Sequence, residues 1–440
     1  MQSITHRLIF NRLAKADALF GAVGIATTVL ESALIATNKN FGATSLELSL
    51  LCQILLSVII ESSAGVLFLK LGPFKTTLYG MITKIFSITL LGVAVVSSNY
   101  FSLTVSWFFL LTFFITDAVG SGCLLSAFRP AYGQWFSEKM NHTEEADFLK
   151  IFKNKMLIRI GLPLVILLFS VGYFYVTQTL NNYFLYSSVI IIGTMLVTRL
   201  YQLWITSTDF KELTTIKKVT ENYNVKRMIS FDAFKKSITK IKTILFIYVL
   251  ADVAHLSVMM YAIGLGFKLT ARFSVPFYFA WLGGALIGFI IYLISSLFGY
   301  FVYPRFSEVF HHKKIAFAIL LLVLPTLWCV LAFSTDNLTY QIVTLFVFSL
   351  CSVTVGNGLL RLMTNQIIKK VQAPIQQSIF IFAEALASLS IAIGISLSLY
   401  STNGNATILT LLALILIMAS VSVIVLTFQH SFNEKIPVNA

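Results

Sequence analysis

The sequence predicts an all-α membrane protein with twelve transmembrane helices, and three observations support that prediction. Of the 440 residues, 57% are hydrophobic and only 11% are charged, whereas about 25% are charged in a typical soluble domain. The mean hydropathy is +0.86. The apolar runs are about 20 residues long and lack strict alternation, which is typical of spanning helices and excludes barrel strands of about 10 residues.

The apolar runs fall into two sets of six, and each run is long enough to cross a bilayer. The predicted spans are 17–37, 46–69, 74–97, 103–127, 153–177, 183–206, 243–266, 274–301, 314–335, 338–361, 376–400 and 405–427. Residues 1–206 and 243–440 are therefore predicted to form two six-helix halves. The polar and basic segment 207–242 between them is predicted to be a cytoplasmic linker with amphipathic helices on the membrane face.

The basic residues orient the predicted spans. If the N-terminus is cytoplasmic, 27 of the 32 Lys and Arg residues lie in cytoplasmic connections, and the outer connections hold only Lys39, Lys268 and Arg272. This distribution follows the positive-inside rule, so we expect both termini in the cytoplasm. The net charge of +14 is then a topology signal and implies no nucleic-acid partner. Lys84 and Arg199 lie toward the cytoplasmic ends of spans 3 and 6, where we expect their long side chains to snorkel or to pair with groups in each other's neighbourhood.

The sequence lacks the motifs that would indicate an enzyme or a metal site. All four cysteines fall within apolar segments without CxxC spacing, which is typical of small buried hydrophobic residues. No GxxxxGK[ST] phosphate loop and no G-x-S-x-G sequence is present, and the linker contains neither His nor Cys. We therefore expect no enzymatic activity, no metal and no cofactor.

Short glycine motifs recur at equivalent positions of the two predicted halves. Val119-Gly-Ser-Gly122 ends span 4 and Val355-Gly-Asn-Gly358 ends span 10. Each motif is followed by a basic residue, Arg129 in the first half and Arg361 in the second. Glycine is common in membrane helices, but recurrence at matching positions favours two related halves, which is the general plan of many secondary transporters.

The connection after span 2 carries the most specific motif of the sequence. It reads Glu61-Ser-Ser-Ala-Gly65-Val-Leu67-Phe-Leu69-Lys70-Leu-Gly72-Pro-Phe-Lys75. Its glycines and bases resemble, in order and spacing, the signature between helices 2 and 3 of the major facilitator superfamily. Leu69 stands where the family has an acid, and Glu61 lies two turns earlier. The resemblance implies a cytoplasmic gate formed by Glu61, Gly65, Lys70, Gly72, Lys75, Arg129 and Arg361.

Five titratable residues lie inside predicted spans, where a charge at the bilayer centre costs about 2.5–3.5 kcal/mol on insertion scales. They are Glu31 in span 1, Asp117 in span 4, Asp252 and His255 in span 7, and Glu384 in span 11. The resemblance implies that all five lie on helices that line or flank a central cavity. Carboxyl groups and histidine in such a cavity can bind and release protons near physiological pH. The alternative for any one of them is a structural pairing across helices.

The sequence thus favours a secondary transporter that works by alternating access and is driven by the proton gradient. Several acids without a clearly placed central base favour a neutral or cationic small organic solute, and the resemblance favours export of the drug or metabolite type. Proton-coupled uptake of a nutrient, or a lipid or polysaccharide flippase of another twelve-helix fold, are the alternatives. We expect a monomer in the bacterial inner membrane, with the lipid bilayer as its other partner.

Overall fold

The computed structural model describes four continuous stretches of the chain and several short ones. The continuous stretches are 2–37, 71–100, 102–128 and 180–212, and shorter ones cover 56–61, 157–159, 161–165 and 235–239. Elsewhere only isolated positions are described. The chain forms two compact units, and the first of them contains Met1–Lys235 and therefore all of the long described helices.

The described part of the chain contains four long α-helices. They are α1 (Gln2–Thr37), α2 (Pro73–Tyr100), α3 (Leu103–Cys123) and α4 (Leu180–Ile205). Two of them continue as π-helical segments, α3 through Leu124–Phe128 and α4 through Thr206–Phe210, and a separate π-helical segment covers Ser57–Glu61. The predicted spans 17–37, 74–97, 103–127 and 183–206 all lie within these helices.

Three of the described helices are long and apolar enough to cross a membrane: Pro73–Ser97, Leu103–Phe128 and Ser188–Phe210. α1 has 36 residues, so at 1.5 Å per residue it is about 54 Å long and exceeds the hydrocarbon thickness of about 30 Å. The excess lies at its basic beginning, which contains Arg7, Arg12 and Lys15.

The backbone at the start of α2 shows why Gly72 and Pro73 of the glycine and base motif suit their positions. Gly72 has φ of +86°, a left-handed conformation that glycine adopts without steric cost. Pro73 follows as the first helical residue, where its missing N–H costs no intrahelical hydrogen bond. The Gly72 carbonyl oxygen then accepts hydrogen bonds from the backbone N–H and the hydroxyl of Thr76, at 3.0 and 2.8 Å. Gly72 therefore sets the direction in which the chain enters α2.

α2 and α3 form a tight antiparallel hairpin, because only residues 101 and 102 separate them. They pack against each other more extensively than any other pair of described helices, and α2 also packs against α4, which packs against α1. Glycines allow the close approach: a Cβ added at Gly120 would lie 3.1 Å from the carbonyl oxygen of Gly80. Small residues at such crossings are characteristic of membrane helix packing.

Buried apolar side chains of the described residues form two clusters. The terminal cluster draws on the first half of α1, the start of α2 and the ends of α3 and α4: Ile9, Leu13, Ala14, Ala16, Met81, Leu124, Phe128, Ile205 and Phe210. The central cluster contains Val23, Ala26, Ile88, Leu90, Leu91, Ala94, Val95, Leu110, Phe113, Phe114, Ile191, Ile192 and Met195. Each of the helices α1 to α4 contributes to both clusters.

Hydroxyl side chains within the helices satisfy their hydrogen bonds locally. Thr27 donates to the carbonyl oxygen of Val23 at 2.6 Å, and Thr112 donates to that of Phe108 at 2.7 Å. The same bond to the carbonyl four residues earlier is made by Thr77, Thr83, Thr89, Thr116, Thr194 and Thr198. Because hydrocarbon offers no hydrogen-bond partners, this arrangement lets threonine occupy membrane helices at little cost.

Replacing Gly122 by alanine should destabilise the first unit. The added methyl group would collide with the carbonyl oxygen of Glu61, a backbone atom that can move only with its whole segment. Overpacking of this kind costs about 1–3 kcal/mol, so we expect a clear drop in the thermal unfolding temperature in detergent. Gly193→Ala is the matched control, since a methyl group there meets no described atom within 4 Å. Equal unfolding temperatures for the two variants would contradict the packing described here.

Candidate functional site

A layer of charged and polar side chains separates the two apolar clusters. In α2, Lys84 lies between Met81 of the terminal cluster and Ile88 of the central cluster. Asp117 of α3 and Arg199 of α4 occupy the corresponding intermediate positions, and α1 contributes Phe20. We call Phe20, Lys84, Asp117, Arg199 and Gln202 the charged layer. It brings together residues from all of the helices α1 to α4.

The shortest contact in the layer is the ion pair between Lys84 and Asp117. Lys84 Nζ lies 2.7 Å from Asp117 Oδ1, and the side chains are 4% and 27% exposed. The Ser87 hydroxyl lies 3.1 Å from the same carboxylate oxygen and 2.9 Å from the carbonyl oxygen of Lys84, and it can donate to either. Solvent screens such an enclosed ion pair only weakly. The free energy of the pair therefore depends on the distance between Lys84 Nζ and Asp117 Oδ1.

Arg199 is held from two sides. Its Nη1 donates to Gln202 Oε1 at 2.8 Å, and Gln202 Nε2 in turn donates to the carbonyl oxygen of Ala16 in α1 at 2.6 Å. Its guanidinium carbon also lies 5.0 Å from the centre of the Phe20 ring, which is within cation–π range. Among the described residues, Arg199 Nε has no hydrogen-bond partner.

The electrostatics of the layer extend to Glu61. Asp117, Arg199 and Glu61 are all close enough to Lys84 to interact with its charge, and Lys84 Nζ lies 5.6 Å from the Phe20 ring centre. Arg199 also interacts with Asp117. The charge of Lys84 is thus influenced by the carboxylates of Asp117 and Glu61 and by the guanidinium of Arg199. Asp117 is the more accessible partner of the central ion pair, so this part of the layer presents an acid to its surroundings.

Of the two alternatives expected for Lys84 and Arg199, snorkelling or pairing, the structure shows pairing. Both residues are buried, at 3% and 1% exposure, and their charged ends contact protein groups. The sequence does contain a signal for the pairing with Asp117. Lys84 lies 16 residues before the end of α2 at Tyr100, and Asp117 lies 14 residues after the start of α3 at Leu103. In an antiparallel hairpin these separations place the two side chains at nearly the same depth.

Two further ion pairs hold the beginning of α1. Buried Asp17 pairs with Lys155, and Arg12 Nη1 lies 3.5 Å from Oδ1 of Asp209 at the end of α4. The side chain of Arg159 lies directly over Gly21, where an added Cβ would be 2.8 Å from its Nε. These contacts hold α1 on both sides of Phe20, the residue that α1 contributes to the charged layer.

The structure describes only some of the residues predicted to be functional. Asp117 is in the charged layer, and Glu61 ends the π-helical segment beside Gly122. Gly72 immediately precedes α2, and Lys75 is exposed on the first turn of that helix. Glu31 belongs to α1, but its side chain lies outside the described part of the chain. The remaining predicted residues also lie outside the described residues: Gly65, Lys70, Arg129, Asp252, His255, Arg361 and Glu384.

The fold is that of the major facilitator transporters. The chain is similar to a bacterial homologue of the iron transporter ferroportin in an outward-facing state, with a TM-score of 0.65, 14% identity, and coverage of 96% of this chain and 100% of that one. It is also similar to the E. coli fucose:proton symporter FucP, with a TM-score of 0.58, 15% identity, and coverage of 96% and 98%.

A third similar structure is the nucleoside transporter NupG, with a TM-score of 0.60, 12% identity, and coverage of 96% and 99%. No protein-family model and no curated protein sequence matches the chain. These solved structures are transporters rather than enzymes. The chain is therefore a multi-pass membrane protein with the all-α major facilitator fold, as the glycine and base motif predicted.

Removing one partner of the Lys84–Asp117 pair should destabilise the protein more than removing both. Lys84→Met or Asp117→Asn alone leaves a buried charge without its nearest counter-charge, which costs about 3–5 kcal/mol. The double variant leaves neither member of the pair charged, although Arg199 still loses Asp117 as a neighbour. Its unfolding temperature in detergent should therefore fall by less than the sum of the two single effects. Lys15→Gln is the control, because Lys15 is an exposed base of α1 and its loss should cost about 1 kcal/mol or less. Additive single effects would contradict a coupled pair.

Proposed function

We propose that this protein is a secondary active transporter that moves a small organic solute across the membrane by alternating access and uses the proton gradient to export it. The observation that carries the proposal is a charged layer buried inside a major facilitator fold. Charges within membrane helices are rare, and they are candidates for ion or substrate pathways by default. The fold also argues against the alternative of a flippase built on another twelve-helix fold.

The similar structures do not indicate which solute this protein moves, because they belong to proteins with unlike substrates. One is a homologue of an iron transporter, one moves fucose with protons and one moves nucleosides. The symporter is nevertheless a precedent for proton coupling in this fold. We propose a neutral or cationic solute, because the more accessible member of the central ion pair is the carboxylate of Asp117.

The coupling residues of the proposal are Glu31, Asp117, Asp252, His255 and Glu384. Asp252 and His255 are three residues apart and would share one helical face. A carboxyl group in a cavity that opens alternately to each side can take up a proton on one side and release it on the other. The gate residues of the span 2–3 motif would close the cytoplasmic side, and two related six-helix halves joined by 207–242 would supply the alternating movement.

Neutralising the coupling carboxylates should abolish proton-driven transport. A thermal-shift screen would first identify a solute that stabilises the purified protein. In proteoliposomes with an imposed pH gradient, we expect wild-type protein to move that solute against the proton flow. We expect Glu31→Gln and Asp252→Asn each to reduce this movement at least about tenfold while solute binding persists.

Glu212→Gln is the matched control for that assay, because Glu212 is an exposed acid at the end of α4. Solute movement in the same direction as the protons would instead support the alternative, proton-coupled uptake of a nutrient. If both carboxylate variants kept wild-type proton-driven transport, the coupling proposal would be wrong.

The proposed topology has a separate test. A reporter that is active only in the cytoplasm, inserted within 207–242, should be active, because that segment carries nine of the basic residues. The same reporter inserted between Lys268 and Arg272, in a proposed outer connection, should be silent. The opposite pattern would invert the orientation, and activity at both sites would contradict the number of spans between them.

A further inference from the structure

The exposed part of the Asp117 side chain lies on the packed face of α3. Asp117 follows Phe113 by four residues and Leu110 by seven, so the three side chains share one face of the helix. Phe113 and Leu110 are 1% and 0% exposed, whereas Phe108 and Ile115 on the opposite face are 65% and 44% exposed. The side chain of Asp117 is nevertheless 27% exposed. An opening therefore reaches Asp117 from within the bundle and not from the outer face of α3.

The two oxygens of the Asp117 carboxylate have different surroundings. Oδ1 lies 2.7 Å from Lys84 Nζ and 3.1 Å from the Ser87 hydroxyl. In the described part of the chain, no group donates a hydrogen bond to Oδ2. An ionised carboxylate accepts hydrogen bonds on both oxygens, and turning the carboxylate would break the ion pair at Oδ1. Oδ2 is therefore the acceptor that remains for a molecule in the opening.

Two buried cations lie beside this carboxylate. Lys84 forms the ion pair, and Arg199 also interacts with the Asp117 charge. Glu61 acts on Lys84 as well, but its influence is smaller than that of Asp117 or of Arg199. The side chain of Lys84 is 4% exposed, and Arg199 is 1% exposed. A molecule in the opening therefore meets the carboxylate of Asp117 directly and experiences the two positive charges only through space.

These surroundings distinguish three classes of solute. A cation at Oδ2 would be repelled by two positive charges that solvent screens only weakly. An anion would meet the carboxylate oxygen, because both cations are enclosed. A hydroxyl or amide N–H group adds no charge, and its hydrogen bond to an ionised acceptor is stronger than a bond between neutral groups. The arrangement therefore favours a neutral hydrogen-bond donor.

We propose that Oδ2 of Asp117 accepts a hydrogen bond from the transported solute, and that Lys84 and Arg199 restrict this contact to a neutral hydroxyl or amide N–H group. Lys84 and Arg199 are positioning residues in this proposal, because they act through Asp117 and do not touch the solute. The inference rests on the proposed function and narrows the neutral or cationic solute named there. It adds two determinants of solute specificity to the predicted cavity acids.

Ser121 provides a reporter position beside Asp117. It follows Asp117 by one helical turn and is half-buried, and cysteine differs from serine by a single atom. Ser121→Cys is introduced into the full-length chain after the four native cysteines are replaced by alanine, and the protein is reconstituted into liposomes. The new thiol is labelled with methanethiosulfonates that carry a neutral hydroxyethyl, a cationic trimethylammonioethyl or an anionic sulfonatoethyl group. Each rate is divided by the rate of the same reagent with β-mercaptoethanol.

We expect the neutral reagent to label Ser121→Cys fastest, because either charged reagent meets a charge of its own sign near the opening. Ile115→Cys is the matched control, since Ile115 lies at nearly the same depth on the outer face of α3. A thiol in apolar surroundings ionises poorly, so all three reagents should label Ile115→Cys more slowly than Ser121→Cys.

Substitutions in the charged layer should change the charge preference of the labelling in opposite directions. Lys84→Met and Arg199→Gln each remove a cation, so the ratio of cationic to anionic labelling should rise at least about tenfold. Asp117→Asn removes the acid, so the same ratio should fall by a similar factor. Lys84→Arg keeps the cation and should keep the wild-type order of the three reagents. A purely structural role of these residues would not give opposite changes.

Faster labelling by either charged reagent than by the neutral one would overturn the inference, as would equal ratios in Lys84→Met and Asp117→Asn. Labelling of Ser121→Cys no faster than that of Ile115→Cys would show that no opening reaches Asp117, and would also overturn it. If Lys84→Met does not fold, Arg199→Gln and Asp117→Asn decide the outcome.

The labelling needs no transport, so its result is separate from that of the transport assay. Proton-driven movement of a cationic solute would refute the neutral contact and leave the proposed transport standing. Labelling in the expected order without any pH-driven transport would refute the proposed function and leave the charge preference at Asp117 standing.

Discussion

The described part of this protein depends on the ion pair between Lys84 and Asp117 in the interior of a helix bundle. The side chain of Lys84 is only 4% exposed, and the nearby carboxylate of Asp117 offsets part of the cost of burying its charge. That contact fixes the depth of α2 relative to α3 within about one helical turn. Arg199 and Phe20 lie beside this pair: Arg199 interacts with Asp117, and both cations approach the Phe20 ring.

The short distances in the layer are possible only because the backbones approach closely. Gly80 and Gly120 face each other in the hairpin, and the Lys84 stem fills the space beside Gly120. A larger residue at these positions would separate the helices and lengthen the Nζ–Oδ1 contact. Glycine is thus required here for proximity, whereas at Gly72 it is required for a positive φ at the entry to α2. The same residue type serves two distinct physical needs within one hairpin.

Much of the fold could be predicted from the sequence, because hydropathy acts on each helix separately. The spans 74–97, 103–127 and 183–206 fall within α2, α3 and α4, the last two with their π-helical continuations. The span 2–3 motif predicted the fold that the similar solved transporters have. The charged layer was harder to predict, because burial of Lys84 and Arg199 depends on neighbouring helices. A single span cannot show whether a lysine snorkels or pairs. Only the similar spacing of Lys84 and Asp117 from the hairpin turn, 16 and 14 residues from the adjacent helix ends, carried that information.

The charged layer connects the four long described helices through polar contacts. In a bilayer, apolar side chains gain little by leaving lipid for protein, so packing and polar contacts decide how helices are arranged. Among the described residues, the polar contacts of the charged layer lie between the terminal and central clusters and join α1, α2, α3 and α4. Neutralising Asp117 would alter the balance for Lys84 and Arg199 together.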